Sequence, residues 1–256
     1  MAGETVKTEA ICLDIRPWSR TSHVVSWLTP NGKVTTVVKG AVRPKSLFLG
    51  QYDLNYECEI IYYARAKGEL HALRECVPVE CHDELRGDYR KLALAGYFRR
   101  LVAELAPMGE ECGEWYGELR RGLDSCASLT SGRETASPLG MMLRFELKVL
   151  ELSGLKPDFG RFREITSASR GDRDGTGEEW SPFSVETGTF GATEGRCIRI
   201  SRDVAEYLVN GAKNAKNPQI PLDAARVIGV FYQFHLDCAS DVRRTVLGLI
   251  DKEGNG

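Results

Sequence analysis

The chain has 256 residues, 42% of them hydrophobic and 27% charged, with a formal net charge of −2. That composition suits a globular protein of one large or two small domains. It excludes a uniformly cationic polyanion binder, so any nucleic-acid site must come from local clustering of charge. No apolar run approaches the roughly 18 residues that span a bilayer. Met1–Lys7 lacks the basic start and apolar stretch of a secretory signal, so a cytoplasmic location is expected. Most of the eight cysteines, scattered and mostly among apolar neighbours, are expected as buried free thiols.

In chain order, residues 1–80 read as strands. Thr8–Ile15 alternates loosely, and Ser22–Leu28 and Lys33–Lys39 are rich in Val and Thr. Thr29-Pro30-Asn31-Gly32 between them is a hairpin signal. Tyr52–Tyr63 and Glu69–Cys76 follow, separated by a Lys67-Gly68 turn. Five short strands without an intervening helix predict a small closed barrel of the OB type. After Pro78 the spacing changes. Leu94, Tyr97, Phe98, Leu101, Val102 and Leu105 recur at helical intervals up to Pro107, and Trp115, Leu119, Leu123 and Cys126 mark a second helix. Ser137-Pro138 reads as a cap and first-turn proline opening a helix that is apolar over a wide arc and stops at Gly154. Residues 156–200 are irregular, with short β-like pieces. A helix resumes at Ser201, and a last helix near Pro221 carries the stripe Ala224, Val227, Ile228, Phe231, His235, Cys238 and Val242. The expected fold is α+β and multi-domain. It has a barrel over 1–80, a helical domain over 81–155 and 201–250, and a small β insert over 156–200.

Between Ile15 and Tyr52 there is no Asp or Glu, while Arg16, Arg20, Lys33, Lys39, Arg43 and Lys45 give the window a charge of +6. Like charges so segregated repel one another, which an anionic partner would offset. Trp18, Trp27, Phe48 and Tyr52 are interleaved with them. Cations that track phosphates beside rings that stack bases are the means by which OB-folds hold single strands. The six cations and Trp18, exposed after Pro17, are therefore the candidate DNA-binding residues. The plainer alternative is a solvated basic face with Trp27 in the core.

Several segments resemble the bacterial RecO family of DNA-repair proteins: Thr8-Glu9-Ala10-Ile11, Leu28-Thr29-Pro30-Asn31-Gly32-Lys33, and above all Lys39-Gly40-Ala41-Val42-Arg43-Pro44-Lys45-Ser46. Leu152-x-Gly154-Leu155-x-Pro157 and Pro182-Phe183-Ser184 are weaker echoes. The resemblance implies an OB-fold and then a helical domain interrupted by a zinc-ribbon-like insert. It implies binding of single- and double-stranded DNA, annealing of complementary strands, and loading of RecA onto strands coated by single-stranded DNA-binding protein (SSB), with RecR as partner. The expected zinc cysteines are missing from Pro157–Phe162, and only Cys197 remains of the second pair. Structural zinc takes four ligands, so no zinc is expected. Phe159, Phe162, Trp180, Phe183 and Phe190 are expected to hold the insert instead. Cys76-x4-Cys81-His82 is the other metal-like cluster and lacks a second half.

No phosphate-binding Gly-x4-Gly-Lys-Ser/Thr loop, Gly-x-Ser-x-Gly elbow or zincin histidine pair occurs, so no catalytic site is expected. His71 and His235 read as structural. Phe231, Tyr232, Arg243 and Arg244 form a second candidate site. An apolar pocket rimmed by Arg could take the acidic, Phe-ended SSB tail that the family binds; bundle core with solvated arginines is the alternative. A protein adaptor whose basic barrel face meets an acidic protein is the competing reading of the whole.

Overall fold

The structure, a computed structural model, describes residues 4–65, 70–108, 112–129, 137–162, 172–173, 179–191, 194–213, 215, 217–236 and 240–250. The chain divides after Leu129 into two compact units.

In the first unit, β1 (Thr5–Ser19), β2 (Ser22–Thr29), β3 (Gly32–Val38), β4 (Glu57–Tyr63) and β5 (Leu70–Glu80) close into a barrel in the order β1-β2-β3-β5-β4. β3 and β5 pair in parallel and the other neighbours antiparallel. This is the OB-type barrel expected from the strand count. β1 serves two walls: Thr5–Ile11 pairs with β4 and Ile11–Ser19 with β2, with a register slip between Cys12 and Asp14. A bulge of this kind bends one strand across a barrel corner. Val25, Trp27, Val38, Cys58, Ile60 and Cys76 fill the interior. Trp27 is fully buried and donates its Nε1–H to Thr36 Oγ1 at 2.9 Å, so its one polar group is satisfied.

The expected strand Tyr52–Tyr63 starts only at Glu57, and a loop of turns occupies residues 39–56. The reason lies in β1, whose residues beyond Ile11 are already committed to β2. The incoming chain instead bonds across the corner, with Asn55 N–H donating to Cys12 O at 3.2 Å and Cys12 N–H to Tyr56 O at 2.9 Å. Asn55 takes a left-handed φ of 70° there.

A 3-10 turn (Asp83–Gly87), α1 (Tyr89–Leu105) and α2 (Gly113–Ala127) complete this unit. Thus α1 and α2 group with the barrel. They bury the residues that the spacing marks, among them Leu94, Phe98, Leu101, Trp115, Leu119 and Leu123. Polar contacts fasten them to the barrel. Cys112 N–H donates to Pro30 O at the hairpin tip (2.8 Å), and Tyr116 OH donates to the buried Glu57 carboxylate (2.8 Å).

The second unit contains α3 (Pro138–Leu152), a 3-10 turn (Phe159–Arg161), β6 (Asp172–Arg173), β7 (Glu179–Ser184), β8 (Cys197–Ser201), α4 (Arg202–Val209), α5 (Gln219–His235) and α6 (Ser240–Ile250). The three strands form one sheet, β6-β7-β8. Ser137 precedes α3 as expected, though its side chain makes no cap bond. Gly154, at φ 72°, ends α3, and Leu155 N–H donates back to Leu150 O at 2.8 Å. The insert is held by rings: Phe159 stacks on Phe183 at 5.0 Å, and Phe190 meets Phe183 at 4.9 Å and Phe162 at 5.2 Å. Trp180, expected among them, lies half-buried under Arg199 instead.

The last stripe, expected as one helix through Val242, belongs to two. α5 ends at His235 and α6 begins at Ser240; Cys238 lies outside the described residues. The break brings Arg243 against Glu146 of α3. Nε–Oε1 is 2.7 Å and Nη2–Oε2 is 3.1 Å, and Nη2 also donates to Ala225 O at 2.9 Å. Gly229 makes room for the guanidinium, since a Cβ there would stand 2.6 Å from Arg243 Nη1.

Candidate nucleic-acid interface

The carboxylate-free window folds as the end of β1, the β2–β3 hairpin and the loop 39–56. Cross-strand partners share a face of a sheet, so Arg16, Val24 and Val37 form one outward row. Beyond that row a groove of about 500 Å³ is lined by Trp18, Ser22, Val37, Lys39 and Arg43 among others. Gly40 makes the turn that arranges them. Its φ is 68°, its N–H donates to Ser22 Oγ at 3.2 Å, and its carbonyl accepts from Arg43 N–H at 3.1 Å. A Cβ there would stand 3.3 Å from Arg43 Cδ, so glycine also lets the arginine stem lie across the turn. Trp18 is 63% exposed.

The structure brings together three of the expected residues, Trp18, Lys39 and Arg43, in that groove. Arg20 and Lys45 are exposed on the adjoining turns. Among the described residues none of Arg20, Lys39, Arg43 and Lys45 has a carboxylate partner. Arg16 is exposed but pairs with Asp14 at 2.5 Å. Lys33 stands apart. Its Nζ donates to Ala103 O of α1 at 3.1 Å, and partial burial lowers its pKa. It fastens barrel to helix at the opposite end of β3 from Lys39.

The rings are placed differently from the interleaved pattern. Trp27 is core, and Phe48 and Tyr52 pack against the barrel interior. The outward residues of β2 and β3, among them Val24, Ser26, Thr35 and Val37, include no ring. A second cavity, of about 370 Å³, lies beside the groove and was not anticipated; Ile15, His23, Phe48, Leu49, Tyr52 and Leu54 line it. Its only sequence signal is Leu47-Phe48-Leu49 in a loop of polar and basic character. Leu47 is 90% and Leu49 59% exposed.

The second expected site is not a surface pocket. Phe231 lies in the ring cluster, 6.5 Å from Phe183. Tyr232 is buried and donates to Glu146 O at 2.9 Å, and Arg243 is consumed by Glu146. Arg244 alone of the four is exposed, 3.5 Å from Asp241. The sequence stripe did mark Phe231 as inward; the Arg243 partner lies 97 positions away and left no local signal.

Other reactive side chains are structural. His71 stacks on Tyr62 at 5.2 Å, and His235 bonds Val185 O at 2.7 Å. Burial raises the Cys12 thiol pKa and pushes that of Cys126 up to about 12. Such thiols stay protonated and unreactive at neutral pH. Among the described residues no group of three or more His, Cys, Asp or Glu is placed to hold a metal ion, and no helix is long and apolar enough to cross a membrane.

The first unit is thus a closed OB-type barrel with a cationic groove whose Lys39 and Arg43 have no carboxylate partner among the described residues. Residues 1–82 match the family model "Recombination protein O N terminal". They are thus similar to the N-terminal domain of the RecO family. The chain is similar to the DNA repair protein RecO of Alkaliphilus metalliredigens, at 30% identity over 59% of this chain and 59% of the relative. It is also similar to the DNA repair protein RecO of Moorella thermoacetica, at 26% identity over 59% of this chain and 54% of the relative. The match thus spans less than two thirds of either relative.

Proposed function

We propose that this chain is a non-catalytic DNA-repair and recombination factor that grips single-stranded DNA in the groove lined by Trp18, Lys39 and Arg43. The observation that carries this reading is that Arg20, Lys39, Arg43 and Lys45 are exposed without carboxylate partners on one rim of an OB-type barrel. Four such cations can neutralise phosphates, and their release of counterions makes binding salt-sensitive. The relatives' names, DNA repair protein RecO, support a role in DNA repair. By the family resemblance, the chain binds double strands as well, anneals complementary strands, and helps RecA load onto SSB-coated strands together with RecR. The SSB tail remains a proposed partner without an assigned seat, because Phe231, Tyr232 and Arg243 are interior. The ring cluster around Phe183 supports a zinc-free insert.

The test is fluorescence anisotropy of labelled oligo-dT with the full chain and with a variant carrying Lys39→Glu, Arg43→Glu and Lys45→Glu. Most of the affinity is lost in the variant; unchanged binding overturns the groove. One observation, the exposed Leu47 and Leu49, favours the adaptor reading. A protein captured in a salt-sensitive manner, with no shift on single strands, would establish that reading.

A further inference from the structure

We propose that the 370 Å³ cavity beside the cationic groove is the seat of one unstacked nucleobase of the strand whose phosphates lie in the groove. The inference rests on the single-strand reading above and adds a subsite to it.

The two cavities share one turn as their wall. Gly40 and Arg43 line the groove, while Ala41 and Val42 line the second cavity. Their chemistry is divided. The groove has two cations and the second cavity has none. A phosphate has no counter-charge in the second cavity, which therefore disfavours an anionic occupant. Its walls are Ile15, Phe48, Leu49 and Leu54, with the rings of His23 and Tyr52. Those rings are held in place. Tyr52 OH lies 2.9 Å from His23 Nδ1, and its ring meets Trp27 edge-on at 6.0 Å. Asp53 also lines the cavity, and its carboxylate is engaged by Arg86 at 2.9 Å. Apolar walls, fixed rings and a few hydrogen-bonding groups are what a base requires. In many OB-folds the outer face of strands two and three receives the nucleic acid. Here that face has no ring; Trp18 is the ring of the groove itself, and the rings of His23, Phe48 and Tyr52 line the adjoining cavity. An aliphatic protein segment is the other conceivable occupant. Continuity with the cationic rim favours the base.

The experiment compares oligo-dT with a strand of equal length made of abasic deoxyribose phosphates, titrated against the full chain, Leu49→Ser, Trp18→Ala and the triple charge reversal. Leu49 is exposed, so its change leaves the core intact. Expected is a loss of about fivefold to a hundredfold on removing the bases. That ratio narrows in Leu49→Ser, whose affinity for the abasic strand is unchanged. Equal binding of both strands to the full chain overturns the base seat. So does a ratio that survives Leu49→Ser and disappears in Trp18→Ala, which places the stacking in the groove. Equal binding of both strands, together with loss of SSB-tail peptide binding in Leu49→Ser, makes the cavity a protein seat. Charge reversal separates the two levels: if it weakens both strands while the bases make no difference, the groove stands and the cavity assignment fails. If it weakens neither, the single-strand reading itself fails.

Discussion

His82 shows how a reactive residue type becomes a structural one. Its ring is almost fully buried, with Nδ1 3.1 Å from Asn55 O and Nε2 3.1 Å from Asp124 Oδ1. It thereby joins the loop before β4 to α2. His82→Ala removes both contacts and leaves Asn55 O without its partner. The expected cost is about 1–3 kcal/mol, read as a lower urea midpoint at unchanged slope. In the sequence His82 looked like part of Cys76-x4-Cys81-His82. The fold gives them different partners, turning the Cys76 thiol to Gln51 O at 3.5 Å. Local spacing could not reveal this, because the partners of both residues are more than 20 positions away. Trp27 was legible, since its alternation with Val25 marks an inward position whatever the register.

At the scale of elements, caps and buried pairs carry the predictions. Asp88 opens α1, and its side chain accepts from Arg90 N–H at 2.9 Å. The hydrogen bonds from the Arg90 side chain chiefly hold its carboxyl pKa below the ordinary value. A depressed carboxylate pKa stabilises the fold above the unfolded-state pKa, and that stabilisation is lost as pH falls through the folded one. Asp88→Ala therefore costs about 1 kcal/mol at pH 7, and the difference from the parent closes in acid below about pH 4. Parallel urea titrations at both pH values check this. In the second unit, Arg243→Met removes two guanidinium hydrogen bonds from the buried Glu146 carboxylate. The expected loss is about 3–5 kcal/mol, and adding Glu146→Leu recovers much of it. Calorimetric melting of the single and double variants decides the point. Neither end of this pair was legible as such. Glu146 is one of four charged residues on α3, and Arg243 entered only as a rim or solvated arginine.

For the whole molecule, the charge pattern and the insert give the measurable consequences. If four phosphates are neutralised, log K for oligo-dT falls with log salt at a slope near −3, from about −0.7 per phosphate for single strands. A slope close to zero in an anisotropy series would remove the electrostatic basis of the groove. A chelator should leave the melting temperature unchanged, and metal analysis of the purified chain should show less than one equivalent of zinc, because the Phe159, Phe162, Phe183 and Phe190 rings pack on one another to hold the insert.

The sequence alone determined the barrel, the helices and the cationic window. These follow from period-two and helical spacing and from the absence of carboxylates over a continuous stretch, all properties of neighbours along the chain. Tertiary structure decided which cations remain free. It spent Lys33 on Ala103, 70 positions away, and left Lys39 and Arg43 beside Trp18. It also decided that β4 begins at Glu57, that the last stripe breaks into two helices, and that a cavity opens next to the groove. Each of these depends on a partner distant in sequence: a strand already paired, a buried carboxylate, a ring across the barrel. Spacing along the chain holds no record of such contacts.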